Sequence, residues 1–390
     1  MNRQPFEKPP RWWSPMLSPG WVRFWRPVRM RKQLKKQRLL EVEVRGLEHV
    51  REAVAAGQGV LITPNHSSHA DCYAFYTAAD RLGYPFYVMI AWQNFVRDGR
   101  LKQLALRQHG GFSVDREGTD MRAFRQAVEI LQSRPNPLTI FPEGDVYHVN
   151  DRITPFREGP AAMAIMAARK GSRPIVCIPC GIKYRYVEDP TPELLRLMDD
   201  LERAIFWRPR PDLALDHRIY HFAEGVLALK EIEFLGHTNS GPVPKRVSEL
   251  AEFILGQIGA RYGQDPSGVS VPERVKSLRR HAIEQLEQLP EGDPRRTEYE
   301  DDLADLFMAV QAFSYPGDYV RQRPSVERMA ETLDKFEEDI LGVKTATIRG
   351  ARAATVTFGD PIPVDPARGK KTAAQTLTRT LEERVQGLLD

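Results

Sequence analysis

Two kinds of hydrophobic pattern alternate along the first half of the chain. Short continuous apolar runs are typical of buried strands, whereas apolar residues spaced three and four apart predict helices with one buried face. Strands that alternate with helices predict crossover connections, and hence an α/β fold with a mostly parallel sheet flanked by helices. The predicted strands between Gly46 and Tyr186 are GVLIT, FYVMI, GGFSV, LTIF and RPIVCIPCGIKY, and the helices between them are 70–82, 94–108, 121–132 and 159–170.

The pattern changes after Tyr186, where helices with charged outer faces follow one another through residue 343. Strand character returns only in KTATIRG and ARAATVTFGDPIPV, before a final helix in TAAQTLTRTLEERVQGLL. We therefore predict an α/β core formed by residues 46–186 and completed by residues 344–390. Residues 187–343 are predicted to form a helical insertion in this core.

Charge is distributed unevenly along the chain. Residues 1–38 contain 11 Lys or Arg against one acidic residue, Glu7, together with four tryptophans. Subtracting these from the 56 basic and 52 acidic residues of the whole chain leaves 45 basic and 51 acidic groups elsewhere. The net charge of +4 therefore conceals a strongly basic, Trp-rich N-terminal arm, which we place at residues 1–45.

Basic residues interleaved with tryptophan suit a membrane surface, because indole rings lie at headgroup level and cations attract anionic lipid. Nucleic acid is not expected as a partner, since no nucleic-acid-binding motif occurs and prolines interrupt any long basic helix. An arm that packs its tryptophans on the main domain is the alternative. No segment has the ~18 to 20 apolar residues of a spanning helix, and no secretory signal is recognised. We expect a peripheral or monotopic protein at the cytoplasmic face of a membrane.

The three cysteines, Cys72, Cys177 and Cys180, are too few for a disulfide framework, which indicates a reducing compartment. A redox function for the CIPC sequence is disfavoured, because that chemistry needs an exposed thiol at the start of a helix. Here the pair lies in a predicted strand interrupted by Pro179. We therefore expect both thiols in the core.

A titratable cluster, His66, His69 and Asp71, follows the first predicted strand of the core. His66 and Asp71 are five residues apart, so their side chains would diverge by about 140° on a single helix. They can meet if His66 lies on the loop after the strand and Asp71 in the first turn of the next helix, with Ser67 or Ser68 as cap. A histidine oriented by a carboxylate is the arrangement of a general base. A metal site is disfavoured, because no further histidine or cysteine cluster lies nearby to complete it.

Three later segments place polar residues at the same edge of the predicted sheet. GGFSVDR puts Arg116 after one strand, and TIFPEGD puts Glu143 and Gly144 after another. PFREGPAAMA puts Arg157 beside a helix start, where free amide groups favour an anion. Each segment alone is explained by a turn, a salt bridge or a cap. Because ligands bind at the carboxyl ends of parallel strands, the three together predict a binding site.

These segments resemble the motifs of the glycerolipid and lysophospholipid acyltransferase superfamily, which includes 1-acyl-glycerol-3-phosphate acyltransferases. NHSSHAD resembles its NHxxxxD signature, and GGFSVDR, FPEG, FREG and IPCGIKY resemble its later blocks in order and spacing. TFGDPIPV resembles its closing strand. The resemblance covers roughly residues 46–186 and 345–390.

The resemblance implies that His66 is the catalytic base and that Asp71 orients it. The base would deprotonate a hydroxyl of a lysolipid acceptor, which attacks the thioester of acyl-CoA or acyl carrier protein. Arg116, Glu143, Gly144 and Arg157 match positions that bind the acceptor's polar head, and His69 falls in the variable part of the motif. No cofactor or metal is implied beyond the acyl thioester donor as co-substrate.

The chain departs from the family pattern immediately after FPEG. The family commonly continues with a small hydroxyl residue and then a basic one, whereas this chain has Asp145, Val146 and Tyr147. A carboxylate at this position predicts weaker phosphate binding, and hence an acceptor other than lysophosphatidic acid. The alternative to an enzyme is a non-catalytic membrane scaffold that keeps the fold and uses the helical insertion to hold a partner. Intact His66, Asp71, Glu143 and Gly144 disfavour it.

Overall fold

The structure, a computed structural model, describes residues 9, 11–97, 99–116, 120–264, 270–366 and 372–390. The chain forms two compact units. One consists of Lys8–Pro190 with Thr347–Asp390 and is called the α/β unit below. The other comprises Thr191–Ala346 and is called the helical unit. All of the predicted site residues lie in the α/β unit.

One mixed sheet of eight strands forms the centre of the α/β unit. Seven strands lie in the order β1-β7-β6-β2-β5-β3-β4, and β8 pairs with β6. Among the strands that the structure describes, only the pairings of β6 with β7 and with β8 are antiparallel, so the predicted mostly parallel sheet is confirmed. The strands are β1 Leu39–Arg45, β2 Gly59–Pro64, β3 Tyr87–Ala91, β4 Gly111–Val114, β5 Leu138–Thr139, β6 Ile175–Tyr186, β7 Arg352–Phe358 and β8 Ile362–Pro363.

Helices cover both faces of the sheet, as the strand–helix alternation predicted. All six residues of β2 are buried, and their alternation sends Leu61 to one core and Val60 and Ile62 to the other. Strands buried on both faces explain the continuous apolar runs in the sequence. The helices of this unit are α1 Pro19–Phe24, α2 Arg26–Lys36, α3 Leu47–Ala55, α4 Asp71–Leu82, α5 Gln93–Val96, α6 Gly99–Gln108, α7 Met121–Ser133, α8 Gly159–Lys170 and α16 Ala373–Leu389.

The structure places the boundary between the predicted N-terminal arm, residues 1–45, and the sheet at a different position. Residues Leu39–Arg45 are strand β1, paired in parallel with β7, so the sheet begins before the predicted boundary at residue 46. Trp13 is buried and stacks on Phe95, with ring centroids 5.4 Å apart. Helix α2, in contrast, buries none of its residues. Residues 1–8 and 10 of the predicted arm lie outside the described residues. Of the remainder, only part is a surface feature, because Leu39 and Val42 of β1 are buried in the core as well as Trp13.

The helical unit corresponds to the predicted insertion, but it begins four residues later and ends three residues later than the predicted 187–343. Its apolar stripes form a separate core around Leu250, Leu278 and Leu306. The predicted strand KTATIRG is wrong, since residues 344–350 are irregular and pairing with β6 begins only at Arg352. The Ala346 amide donates instead to the Glu338 side chain, at 3.0 Å. The helices are α9 Thr191–Phe206, α10 Leu215–Leu235, α11 Val243–Arg261, α12 Val271–Gln288, α13 Arg295–Phe313, α14 Tyr319–Gln322 and α15 Val326–Ile340.

Across the described ranges, none of the helices combines the length and apolar character that a bilayer crossing requires.

Candidate active site

His66 and Asp71 meet at the carboxyl end of β2. Pro64 ends the strand, His66 lies on the following loop, and Asp71 is the first residue of α4. The imidazole Nδ1 and the Asp71 Oδ2 are 2.7 Å apart. The two side chains therefore meet across a strand–loop–helix connection, which is the geometry the five-residue spacing allows. The predicted serine cap differs, because Ala70 is the N-cap residue and the Ser68 hydroxyl accepts from the Ala70 amide.

The Asp71 carboxylate is sealed from solvent and fully engaged by the protein. Its side chain has 0% exposure. Besides bonding His66, Oδ2 accepts the Ser68 amide at 3.1 Å, and Oδ1 accepts the Tyr184 hydroxyl at 2.8 Å. A carboxylate at the first turn of a helix is further favoured by the helix dipole. These contacts fix the carboxylate so that it can orient the imidazole and stabilise its protonated form.

The His66 imidazole remains accessible, with 25% of its side chain exposed. One face packs on Phe141, with ring centroids 4.3 Å apart. Because Nδ1 is directed at Asp71, the nitrogen left to take a substrate proton is Nε2. A reachable base oriented by a sealed carboxylate has the geometry for general-base chemistry.

The segment after β5 holds the backbone of His66 on both sides. Glu143 Oε1 accepts the His66 amide at 2.7 Å, and the Tyr147 amide donates to the His66 carbonyl oxygen at 3.4 Å. The other Glu143 oxygen accepts the amide of Thr154 at 3.1 Å and also its hydroxyl. Burial raises the pKa of Glu143, while the bonds from Thr154 and His66 act in the opposite direction. The Glu143 carboxylate thus positions the His66 loop, a contribution that the predicted role in substrate binding did not include.

Gly144 is needed for both its conformation and its lack of a side chain. Its φ is 81°, in the left-handed region that favours glycine. A Cβ at this position would lie 2.4 Å from Nε of Arg157, so the guanidinium packs where a side chain would be. Arg116 Nη1 donates to the Gly144 carbonyl oxygen at 2.8 Å. Both predicted arginines are therefore brought together at the FPEG turn.

Asp145 also joins this group, since its Oδ2 lies 3.3 Å from Arg116 Nη1. Burial acts to raise the pKa of Asp145, but the charges of Arg116 and Arg157 and the Val146 amide outweigh it and lower the pKa. In the sequence, no basic residue follows Asp145, although Arg116 and Arg157 were predicted at the same edge of the sheet. The structure supplies a cation from the end of β4, which sequence spacing could not show.

Tyr184 is the residue that sequence reasoning missed. It lies near the end of β6 and is buried, with its hydroxyl on Asp71. The two-residue period of a strand puts Tyr184 on the same face as Ile182 and Cys180, and those side chains pack in the core that α3 and α4 cover. The alternation of side chains along β6 could therefore have predicted the face of the sheet on which Tyr184 lies, but not its contact with Asp71.

Comparison with known proteins identifies the domain. The Acyltransferase family model matches residues 41–183. Over these residues the chain is similar to the Acyltransferase family, which is part of the glycerolipid acyltransferase superfamily. The acyltransferase match contains His66, Asp71 and all four predicted binding residues, and it begins inside β1. The helical unit lies outside the match. No curated protein matches the chain.

Proposed function

We propose that this acyltransferase moves a fatty acyl chain from acyl-CoA or acyl carrier protein to a hydroxyl of a lysophospholipid or related glycerol lipid. The observation that carries the proposal is the pair formed by His66 and Asp71 within the acyltransferase domain, with Nδ1 and Oδ2 2.7 Å apart. Its position at the carboxyl edge of a parallel sheet is where ligands bind in such folds.

The proposed reaction needs one base and no covalent enzyme intermediate. His66 Nε2 takes the hydroxyl proton as the acceptor oxygen attacks the thioester carbonyl carbon. The tetrahedral intermediate then collapses, the carbon–sulfur bond breaks, and the leaving thiolate receives the proton from the imidazolium. Asp71 stabilises the imidazolium throughout. The products are an ester and a free thiol.

Replacement of His66 by Ala tests this function. We expect H66A to lower acceptor-dependent thiol release from acyl-CoA by about 10²- to 10⁴-fold, the usual contribution of a general base. His237 is exposed and lies in the helical unit, so H237A is the matched control and should retain full activity. Retained turnover in H66A would refute the role of His66. A wild-type protein without transfer from either thioester would favour the scaffold alternative.

We also propose that α1 and α2 hold the enzyme on an anionic membrane surface. Large apolar side chains on these helices are exposed, including Trp21 at 42% and Phe24 at 66%. Exposed cations surround them, and α2 buries none of its residues. Exposed aromatic rings flanked by cations suit the headgroup region of a bilayer. The apolar residues exposed here are Met16, Trp21, Phe24, Val28, Met30 and Leu34, and the exposed basic residues are Arg23, Arg26, Arg31, Lys32, Lys35 and Lys36.

Point substitutions test this surface better than a deletion of residues 1–45, which would also remove β1 and Trp13. The double variant W21S/F24S should weaken sedimentation with phosphatidylglycerol vesicles by at least about tenfold, because two apolar side chains lose their burial. Phe253 is 38% exposed in the helical unit, so F253S is the control. Unchanged sedimentation of the double variant would place the membrane contact elsewhere.

A further inference from the structure

The Asp145 carboxylate occupies the cationic side of the candidate site. Its Oδ2 is 3.3 Å from Arg116 Nη1, and its Oδ1 accepts the Val146 amide at 2.9 Å. Both partners of the ion pair remain reachable, with side-chain exposures of 38% for Asp145 and 23% for Arg116. An acceptor that approaches Arg116 therefore meets a carboxylate as well as a guanidinium.

The charges around this carboxylate keep it ionised near neutral pH. Arg116 and Arg157 both lower its pKa against the opposing effect of burial. Arg157 itself packs against the Cα of Gly144, the residue before Asp145. One of the two guanidinium charges at the turn is thus offset by a negative charge that belongs to the protein.

This arrangement treats charged and neutral acceptors differently. A phosphate monoester near neutral pH carries about −1.5 to −2 charge and mainly accepts hydrogen bonds, so it competes with Asp145 for Arg116 and is repelled by the carboxylate. An uncharged hydroxyl can donate to the carboxylate, and charge-assisted bonds of this kind are stronger than neutral ones. The ion pair therefore disfavours acceptors with a phosphate monoester and provides a hydrogen-bond acceptor for those with an uncharged hydroxyl.

We infer that Asp145 is a specificity-determining residue that selects an acceptor glycerol lipid with an uncharged hydroxyl head over one bearing a phosphate monoester. The inference rests on the proposed acyl transfer and names the acceptor class for it. The ion pair with Arg116 holds Asp145 in place, and Arg157 adds a second positive charge nearby. The head hydroxyl of the acceptor donates to the Asp145 carboxylate while another hydroxyl faces His66.

Transfer to two acceptors that differ only in the phosphate tests the selection. Acyl transfer to 1-monoacylglycerol and to 1-acylglycerol 3-phosphate is measured for the wild type, D145N and D145S, and the two kcat/KM values are compared as a ratio. We expect the wild type to favour monoacylglycerol. Both variants should shift the ratio toward the phosphorylated acceptor by about tenfold or more, mainly through KM.

The control is D360N, which removes an exposed aspartate near His49 and should leave the ratio unchanged. Two results would overturn the inference: a wild type that prefers the phosphorylated acceptor, or a ratio in D145N within about twofold of the wild-type value. A protein that merely loses stability would lower both kcat/KM values and leave their ratio intact.

Failure of the proposed function gives a different result, namely no transfer to either acceptor by the wild type or by any variant. In that case, binding of glycerol 3-phosphate, measured by calorimetry, still decides the role of the charge. Affinity at least about tenfold higher in D145N than in the wild type supports exclusion of phosphate by Asp145. Equal affinity overturns it.

Discussion

Within the described residues, three groups donate hydrogen bonds to Asp71, two from the loop before α4 and one from a distant strand. His66 lies on the preceding loop, the Ser68 amide follows it, and the Tyr184 hydroxyl comes from β6. A buried carboxylate that loses a donor is costly, because no water replaces the missing bond. The orientation of His66 therefore depends on a tyrosine more than one hundred residues away along the chain.

Replacement of Tyr184 by Phe isolates this contact. Y184F keeps the ring but leaves Asp71 Oδ1 without its donor, so we expect the free energy of unfolding to fall by about 1 to 3 kcal/mol. Because Asp71 then holds His66 less firmly, kcat should fall roughly tenfold while KM for the acceptor stays close to the wild-type value. Denaturant titration and steady-state kinetics measure the two effects. Y84F, at a 43% exposed position, is the control. An unchanged kcat in Y184F would exclude a positioning role.

At the scale of the element, β6 carries this tyrosine beyond the end of its neighbour β2. Pro64, the last residue of β2, pairs with Cys180, whereas β6 continues to Tyr186 alongside β7. Beyond Cys180, none of the described strands pairs with β6 on the side of β2, and two buried asparagine side chains make the hydrogen bonds that a strand would make there. Asn65 exchanges hydrogen bonds of 3.0 and 2.7 Å with the backbone of Ile182, and Asn150 exchanges two of 2.6 Å with that of Tyr184.

Replacement of Asn150 by Ala tests this substitute pairing. The N–H and C=O of Tyr184 would lose these partners in a buried position, so we expect a loss of roughly 2 to 4 kcal/mol in the free energy of unfolding. Acyl transfer should also decrease, because the Tyr184 hydroxyl is no longer held against Asp71. The control is N136A, which removes a single hydrogen bond from Asn136 to the Pro85 carbonyl oxygen. Equal losses in the two variants would contradict the proposed role of Asn150.

At the scale of the whole molecule, the two units have separate cores, and all three cysteines lie in the α/β unit. Cys177 and Cys180 are fully buried in β6, whereas Cys72 is exposed. Pro179 lies between the β8 pairing at Cys177 and the β7 pairing at Cys180, so the predicted interruption does not break the strand. The expectation of core thiols is confirmed.

These buried thiols report on the unfolding of the α/β unit alone. In a C72S background, we expect Ellman's reagent at about pH 8 to modify neither remaining thiol of the native protein and both in concentrated guanidinium chloride. Circular dichroism, which also detects the helical unit, provides the comparison during denaturation. Rapid modification of the native protein would show that β6 is accessible and contradict its central position.

Burial of these thiols also predicts a dependence of stability on alkaline pH. Burial raises the pKa of Cys177 to about 12, whereas a thiol in the unfolded chain ionises near about 8.5. Because the folded pKa is the higher one, the stabilisation is complete below the unfolded pKa and is lost as pH rises toward the folded pKa. Between these two pKa values, the unfolding free energy of the wild type falls as pH rises. We expect this slope to be less steep in C177A, by about 1.4 kcal/mol per pH unit. An identical slope in wild type and C177A would contradict the burial of this thiol.

Local patterns predicted most of the elements because strands and helices have different periods of burial. The helix over 121–132 is found as Met121–Ser133, and the run GVLIT is found within β2. The prediction was wrong for KTATIRG, whose alternation resembles that of a strand, because a strand needs a partner and the Glu338 side chain holds the Ala346 amide instead. The boundary of the N-terminal arm was displaced for the same reason, since pairing of β1 with β7 joins residues about three hundred positions apart.

The sequence by itself determined the α/β class, the strand–loop–helix placement of His66 and Asp71, and the FPEG turn, because each depends on residues that are neighbours along the chain. Only the tertiary structure decided which distant groups complete the site. Tyr184 donates a hydrogen bond to Asp71, Thr154 donates to Glu143, and Arg116 forms an ion pair with Asp145. The physical reason is that hydrogen bonds and ion pairs depend on distances of about 3 Å. Spacing along the chain fixes such distances within a turn, whereas between strands they depend on sheet order and register.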